Sequence, residues 1–142
     1  MCRVLILDDD KRYAESLKPV VDEFEGNGTV TDTASTLDEA LGCAQQAVLC
    51  GQPYTVFIID QRLGTGKDGI EAMKDLQNAS PDSDAIILTG IGDHEVGKRA
   101  YQAGAFRYLA KPVEEEELTF VLYSLMQSRR EELENKWRKV FS

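Results

Sequence analysis

Apolar residues follow two rhythms that alternate along the chain. Val4–Leu7, Thr55–Ile59 and Ala85–Leu88 are almost continuously apolar, the pattern of strands covered on both faces of a parallel sheet. Gly28–Thr33 and Phe106–Leu109 complete a set of five predicted strands. Between them the apolar positions switch to helical spacing. Lys11–Phe24 puts Tyr13, Leu17, Val20, Val21 and Phe24 on one side. Thr36-Leu37-Asp38-Glu39 has the form of a capping box, opening a helix that runs to about Cys50 and stops at Gly51 and Pro53. Asp68–Asn78 carries Ile70, Met73 and Leu76 and ends before Pro81. Asp93–Gln102 is a shorter helix ending near Gly104, and the last helix begins after Pro112.

Five strand-then-helix units predict an α/β fold with a single five-stranded parallel sheet, doubly wound, and helices on both faces. Right-handed crossovers leave few windings, of which the flavodoxin-like strand order 2-1-3-4-5 is the common one. Residues 1–125 form the expected domain, and 126–142 continue the last helix beyond it.

Composition narrows the function. A length of 142 residues suits one domain. The net charge of −9 argues against direct nucleic-acid binding by this segment, because tracking phosphates needs clustered Lys and Arg. No apolar stretch reaches the ~18 residues of a membrane span. The start, MCRVLILDDD, has too short an apolar run for a secretory signal. Cys2, Cys43 and Cys50 are odd in number and form no CxxC pair, so they read as reduced thiols in a cytoplasmic protein.

The chemistry collects at one edge. In this winding every strand ends on the same side, and ligands bind where the direction reverses, between strands one and three. Asp8, Asp9 and Asp10 follow strand one, and Asp60 follows strand three. Thr89 ends strand four, and Lys111 follows strand five. Asp10 alone reads as the cap of the first helix. Two carboxylates ~4 Å apart repel by about 1 kcal/mol in water and about 4 at an effective dielectric of 20, so the group would raise its pKa values or recruit a cation. With no Cys or His nearby the set suits a hard ion, Mg²⁺ (or Mn²⁺), held by few protein oxygens plus water. Such an ion and Lys111 together would draw a phosphoryl group.

VLILDDD, FIID, IILTG and GAFRYLAKPV, in this order and spacing, resemble a response-regulator receiver domain of two-component signalling, over roughly residues 3 to 125. The resemblance implies that Asp60 is the phosphoacceptor, taking a phosphoryl group from a sensor histidine kinase or phosphotransfer protein. It implies Mg²⁺ held by Asp60, by Asp9 directly, by Asp8 largely through water, and by the backbone carbonyl of Arg62. Lys111 would pair with the phosphoryl oxygens, and Lys111-Pro112 would be a cis peptide. Thr89 would be the switch hydroxyl, with Gly90 leaving room for the entering group, and Tyr108 the aromatic that moves with Thr89. The readout would be the surface of helix four, strand five and helix five, which is also a dimerisation surface. Arg62 and Ile91 stand where the family tunes phosphoryl lifetime, and a long cation with an apolar neighbour implies slow self-hydrolysis.

The chain departs from the family in two places. The loop LGTGKDG lacks the usual proline and is one residue longer, and the second helix region, ending AVLCGQPY, is extended. An aspartyl phosphatase would need a second acid at Arg62, and the nucleotide-binding loops fail at Asp68 and Glu95. A receiver fold that docks partners without phosphorylation stays open.

The last helix carries Met126, Arg130, Leu133, Trp137 and Val140 at alternating steps of four and three, the spacing of a coiled-coil seam. Dimerisation, or connection to an output domain outside this chain, is one reading; a helix that folds back or frays is the other.

Overall fold

The computed structural model describes residues 2–24, 28–64, 66–90 and 94–141. Its strands are β1 (Cys2–Leu7), β2 (Thr29–Ala34), β3 (Val56–Asp60), β4 (Asp84–Thr89) and β5 (Arg107–Ala110). The helices are α1 (Lys11–Glu23), α2 (Leu37–Leu49), α3 (Gly69–Ala79), α4 (His94–Gln102) and α5 (Glu115–Phe141). All four strand pairings are parallel, and the order is β2-β1-β3-β4-β5, the flavodoxin-like winding expected from the sequence.

Alternation along the central strands divides the core into two layers. Leu5, Leu7, Phe57, Ile59 and Ile87 face Ala40, Ala44 and Ala47 of α2 and Ile70, Met73 and Leu76 of α3, with Val96 and Ala100 of α4. Val4, Ile6, Ile58, Ile86 and Leu88 face Ala14, Leu17 and Val21 of α1 and Leu118, Val121, Leu122 and Leu125 of α5. Small alanines on α2 let that helix lie close against the sheet.

The helices start on side chains. Asp10 caps α1 by accepting from the Tyr13 N–H at 3.2 Å. Thr36 caps α2 by accepting from the Glu39 N–H at 3.1 Å, while the Glu39 carboxylate accepts from the Ser35 hydroxyl at 3.5 Å. The reciprocal capping box lies instead at α3, where Asp68 and Glu71 each satisfy the other's backbone N–H. Asp93, expected in α4, falls outside the described residues.

α5 is continuous over 27 residues. Arg129 fixes it to the domain, donating to the Asp82 carbonyl and the Asp84 carboxylate, both at 2.8 Å. Beyond that anchor Leu133, Trp137, Val140 and Phe141 are each more than half exposed, with Trp137 and Phe141 stacked 5.5 Å apart. Among the described residues no helix is long and apolar enough to cross a membrane.

Candidate functional site

The register of β1 against β3 pairs Leu7 with Ile59, so Asp8 and Asp60 leave the sheet side by side. Asp8, Asp9 and Asp60 offer carboxylate oxygens that all lie within 4.8 Å of one another. Asp8 and Asp60 are buried at 1% and 7% exposure, whereas Asp9 is exposed. Three oxygens this close, without nitrogen or sulfur donors, are the donor set of a small hard cation, so the residues fit Mg²⁺.

Lys111 closes the cluster. Its Nζ lies 2.8 Å from Asp8 Oδ2 and 3.3 Å from Asp60 Oδ1. Burial works against the ammonium, but the hydrogen bond to Asp8 and the charges of Asp60 and Asp8 outweigh it and raise its pKa. Asp60 moves the other way from an ordinary carboxylate. Burial and then the Asp8 charge push it up to about 6, while Lys111 and the Arg62 N–H, 3.4 Å away, pull it back. The acceptor candidate is thus strained as an anion, and a cation would relieve it. The Lys111–Pro112 peptide is cis.

Sequence reasoning placed Tyr13 only on the apolar side of α1. Its ring lies under Lys111 Nζ at 4.4 Å, and its hydroxyl accepts from the Val113 N–H at 3.0 Å. Tyr13 therefore holds both the ammonium and the chain just past it. The available signal was position: Tyr13 is in the first turn after Asp10, at the same sheet edge. Gln61 was also missed as a functional residue. It is buried beside Asp60 and accepts from the Ile70 N–H at 3.1 Å.

Glycines set how closely the following loop approaches. A Cβ on Gly69 would collide with the Asp60 carbonyl, and one on Gly64, at φ 82°, would lie 2.9 Å from Asp9 Oδ2. The loop backbone is therefore in contact with both acids, and the glycines in LGTGKDG permit it.

Thr89 ends β4, 4% exposed and paired with Ala110. It lines a groove of about 380 Å³ with Gln61, Arg62, Gly64, Lys67 and Val96. Gly90 is exposed, and an added Cβ would meet nothing within 4 Å, so there is open space next to Thr89. Tyr108 pairs with Ile87 two residues before Thr89, and its ring packs on α4, where a Cβ on Gly97 would come within 2.9 Å of it. It also meets Tyr101 edge-on at 6.5 Å. Tyr108 is thus set apart from the acids, on the far side of Thr89. Ile91 lies outside the described residues.

Residues 4–123 match the model of the response regulator receiver domain family. The photosynthetic apparatus regulatory protein RegA of Cereibacter sphaeroides is 31% identical over 119 residues, which are 84% of this chain and 60% of RegA. The chain therefore spans about three fifths of the length of that relative. A beryllofluoride-activated NtrC4 receiver domain dimer aligns with a TM-score of 0.72 and 29% identity, covering 89% of this chain and 98% of that one. A response regulator from Burkholderia pseudomallei, solved with a phosphorylated aspartic acid and a calcium ion, aligns at 0.71 and 26%, covering 99% and 82%.

Proposed function

The chain belongs to the response regulator receiver domain family, and from that premise we propose that Asp60 accepts a phosphoryl group and that Thr89 and Tyr108 transmit the event to α4, β5 and α5. One observation carries this reading: Asp8, Asp60 and Lys111 meet at hydrogen-bonding distance on the edge where β1 and β3 diverge. A carboxylate is a weak nucleophile, so transfer depends on alignment and on charge already in place. Asp60 is held by the Arg62 N–H and by Lys111. Bound Mg²⁺, held by Asp9, Asp60, the Arg62 carbonyl and Asp8 through water, would neutralise charge on the transferring group. Lys111 lies within reach of the same oxygens and would exchange its contact with Asp60 for one with the phosphoryl group. The added charge would draw the Thr89 hydroxyl toward Asp60, and Tyr108 would follow along β5.

Residues 1–125 would act as the receiver and 126–142 as its link to other chains or domains. The donor would be a sensor histidine kinase or phosphotransfer protein, and an output domain would lie outside this chain. Acetyl phosphate with Mg²⁺ is expected to add one phosphoryl mass to the protein and none to Asp60→Asn. No Mg²⁺-dependent addition in the parent would leave a docking fold without phosphoryl chemistry. Arg62, exposed beside the site, would shield the acyl phosphate from water. Arg62→Ala is expected to lose the label several-fold faster than the parent, and equal rates would remove that role.

The exposed seam of α5 supports a parallel dimer, with Leu133, Trp137 and Val140 buried between two copies together with the surface of α4, β5 and α5. Sedimentation should show a dimer that Trp137→Ser shifts to monomer. A monomeric parent at high concentration, with beryllofluoride and without it, would count against the dimer.

A further inference from the structure

The groove beside Thr89 separates the acceptor loop from α4, and among the described residues the Arg99 side chain reaches across. Arg99, in the second turn of α4, reaches Asp68 Oδ2 at 3.2 Å. Asp68 is no ordinary surface acid, for its other oxygen accepts from the Glu71 N–H at 2.9 Å as the N-cap of α3. Asp68 directly precedes Gly69 and Ile70, whose N–H groups donate to the Gln61 carbonyl and side-chain oxygen. Gln61 is then fixed from three directions. Its N–H donates to the Leu88 carbonyl at 2.8 Å, its own carbonyl accepts from the Gly69 N–H at 2.9 Å, and its side-chain oxygen accepts from the Ile70 N–H. The contacts thus run from Gln61, next to Asp60, through the Gly69 and Ile70 N–H groups to the start of α3, whose N-cap Asp68 meets Arg99 of α4. Burial works against the Asp68 charge, but the Glu71 N–H and Arg99 outweigh it, so Asp68 stays ionised for this pairing.

We propose that Arg99 is a positioning residue for the phosphoacceptor, holding the β3–α3 loop in place through Asp68 and the start of α3 that Gln61 binds. The proposal rests on the phosphoacceptor reading of Asp60 and adds a contact between site and α4 that bypasses Thr89 and Tyr108. The loop presents both the Arg62 N–H bonded to Asp60 and the glycine backbone packed on Asp9. A site whose supporting shell is fixed binds its charged ligand without first ordering the loop. Loosening Arg99 makes that ordering part of binding. Because coupling is reciprocal, occupancy of the site then tightens the hold on α4.

The test uses the full chain, with Arg99→Gln, Asp68→Asn, the double variant and Arg99→Lys. Asn keeps the N-cap acceptor, so α3 remains capped without the charge. Each single variant is expected to raise the beryllofluoride concentration for half-saturation in Mg²⁺ by about threefold, the scale of a partly exposed ion pair. Amide exchange of residues 61–71 in metal-free protein should quicken by a similar factor. The double variant should match either single one, and Arg99→Lys should recover part of the loss. Unchanged half-saturation in both single variants, even with lowered thermal stability, would reduce the pair to a structural contact and overturn the proposal. Additive effects would also overturn it. A parent that binds no beryllofluoride would instead remove the phosphoacceptor reading itself, and the proposal with it.

Discussion

Asp60→Asn is expected to raise the thermal midpoint of the metal-free protein at about pH 7.5 by roughly 5–10 °C, and to lose that advantage near pH 4. The Asp60 carboxyl is raised from 3.8 to about 6 by burial and by Asp8. The folded chain therefore holds this proton more tightly than the unfolded chain does. Below pH 3.8 both states are protonated and the acid costs nothing; as pH rises through about 6 the folded state must ionise a crowded carboxylate. At 1.36 kcal/mol per pH unit between the two values, the loss approaches about 3 kcal/mol at neutral pH. Asparagine keeps the shape and removes the charge. Mg²⁺ at ~100 times its dissociation constant should raise the parent by about 2.7 kcal/mol, and Asp60→Asn by less. A variant no more stable than the parent at about pH 7.5 would show that the acids are not strained against one another.

That strain was foreseeable because the winding order, rather than any local motif, brings residues 8, 9, 60 and 111 together. The uninterrupted runs around Leu5, Phe57 and Ile87 announced strands buried on both faces, and two buried faces require helices on each side. The outer strands were read one residue early. β2 and β5 are edge strands, and exposed Val30 and Arg107 blur the pattern that the inner strands keep clean. Thr36 was recognised as a cap, but the reciprocal box at Asp68 and Glu71 was not, because the glycines before it read as loop. Tyr13 under Lys111, Gly64 against Asp9 and Arg99 on Asp68 depend on how far a side chain reaches between elements. Hydrophobic periodicity carries no record of that distance. Such contacts join residues as far as 98 positions apart (13 and 111), and only the folded geometry shows them.

Lys111→Met should give the largest loss. Met keeps most of the stem and removes the charge, leaving Asp8, 1% exposed, without the ammonium 2.8 Å away. Breaking a buried pair by removing one partner costs about 3–5 kcal/mol, because the remaining charge has neither water nor counter-ion. The raised pKa of Lys111 fixes the pH range. Its stabilisation is fully present below the ordinary lysine value of 10.5 and fades only as pH rises through the higher folded value. The deficit of the variant should thus be level from about pH 7 to 9. It should shrink as pH falls toward about 6, because without Lys111 to lower it the Asp60 carboxyl takes up its proton above the parent's value and one of the two opposed charges disappears. Adding Asp60→Asn should recover part of the stability for the same reason, and Mg²⁺ should recover more, since it replaces the missing positive charge. Phosphoryl acceptance from acetyl phosphate should fall by ~10²–10³, the usual effect of removing one preorganised group that faces developing charge. Thermal melts of the four proteins across this pH range, with and without Mg²⁺, separate the contributions. A deficit that ignores both Mg²⁺ and the state of Asp60 would mean that Lys111 acts through its packing on Tyr13, 4.4 Å from that ring, and not through its charge.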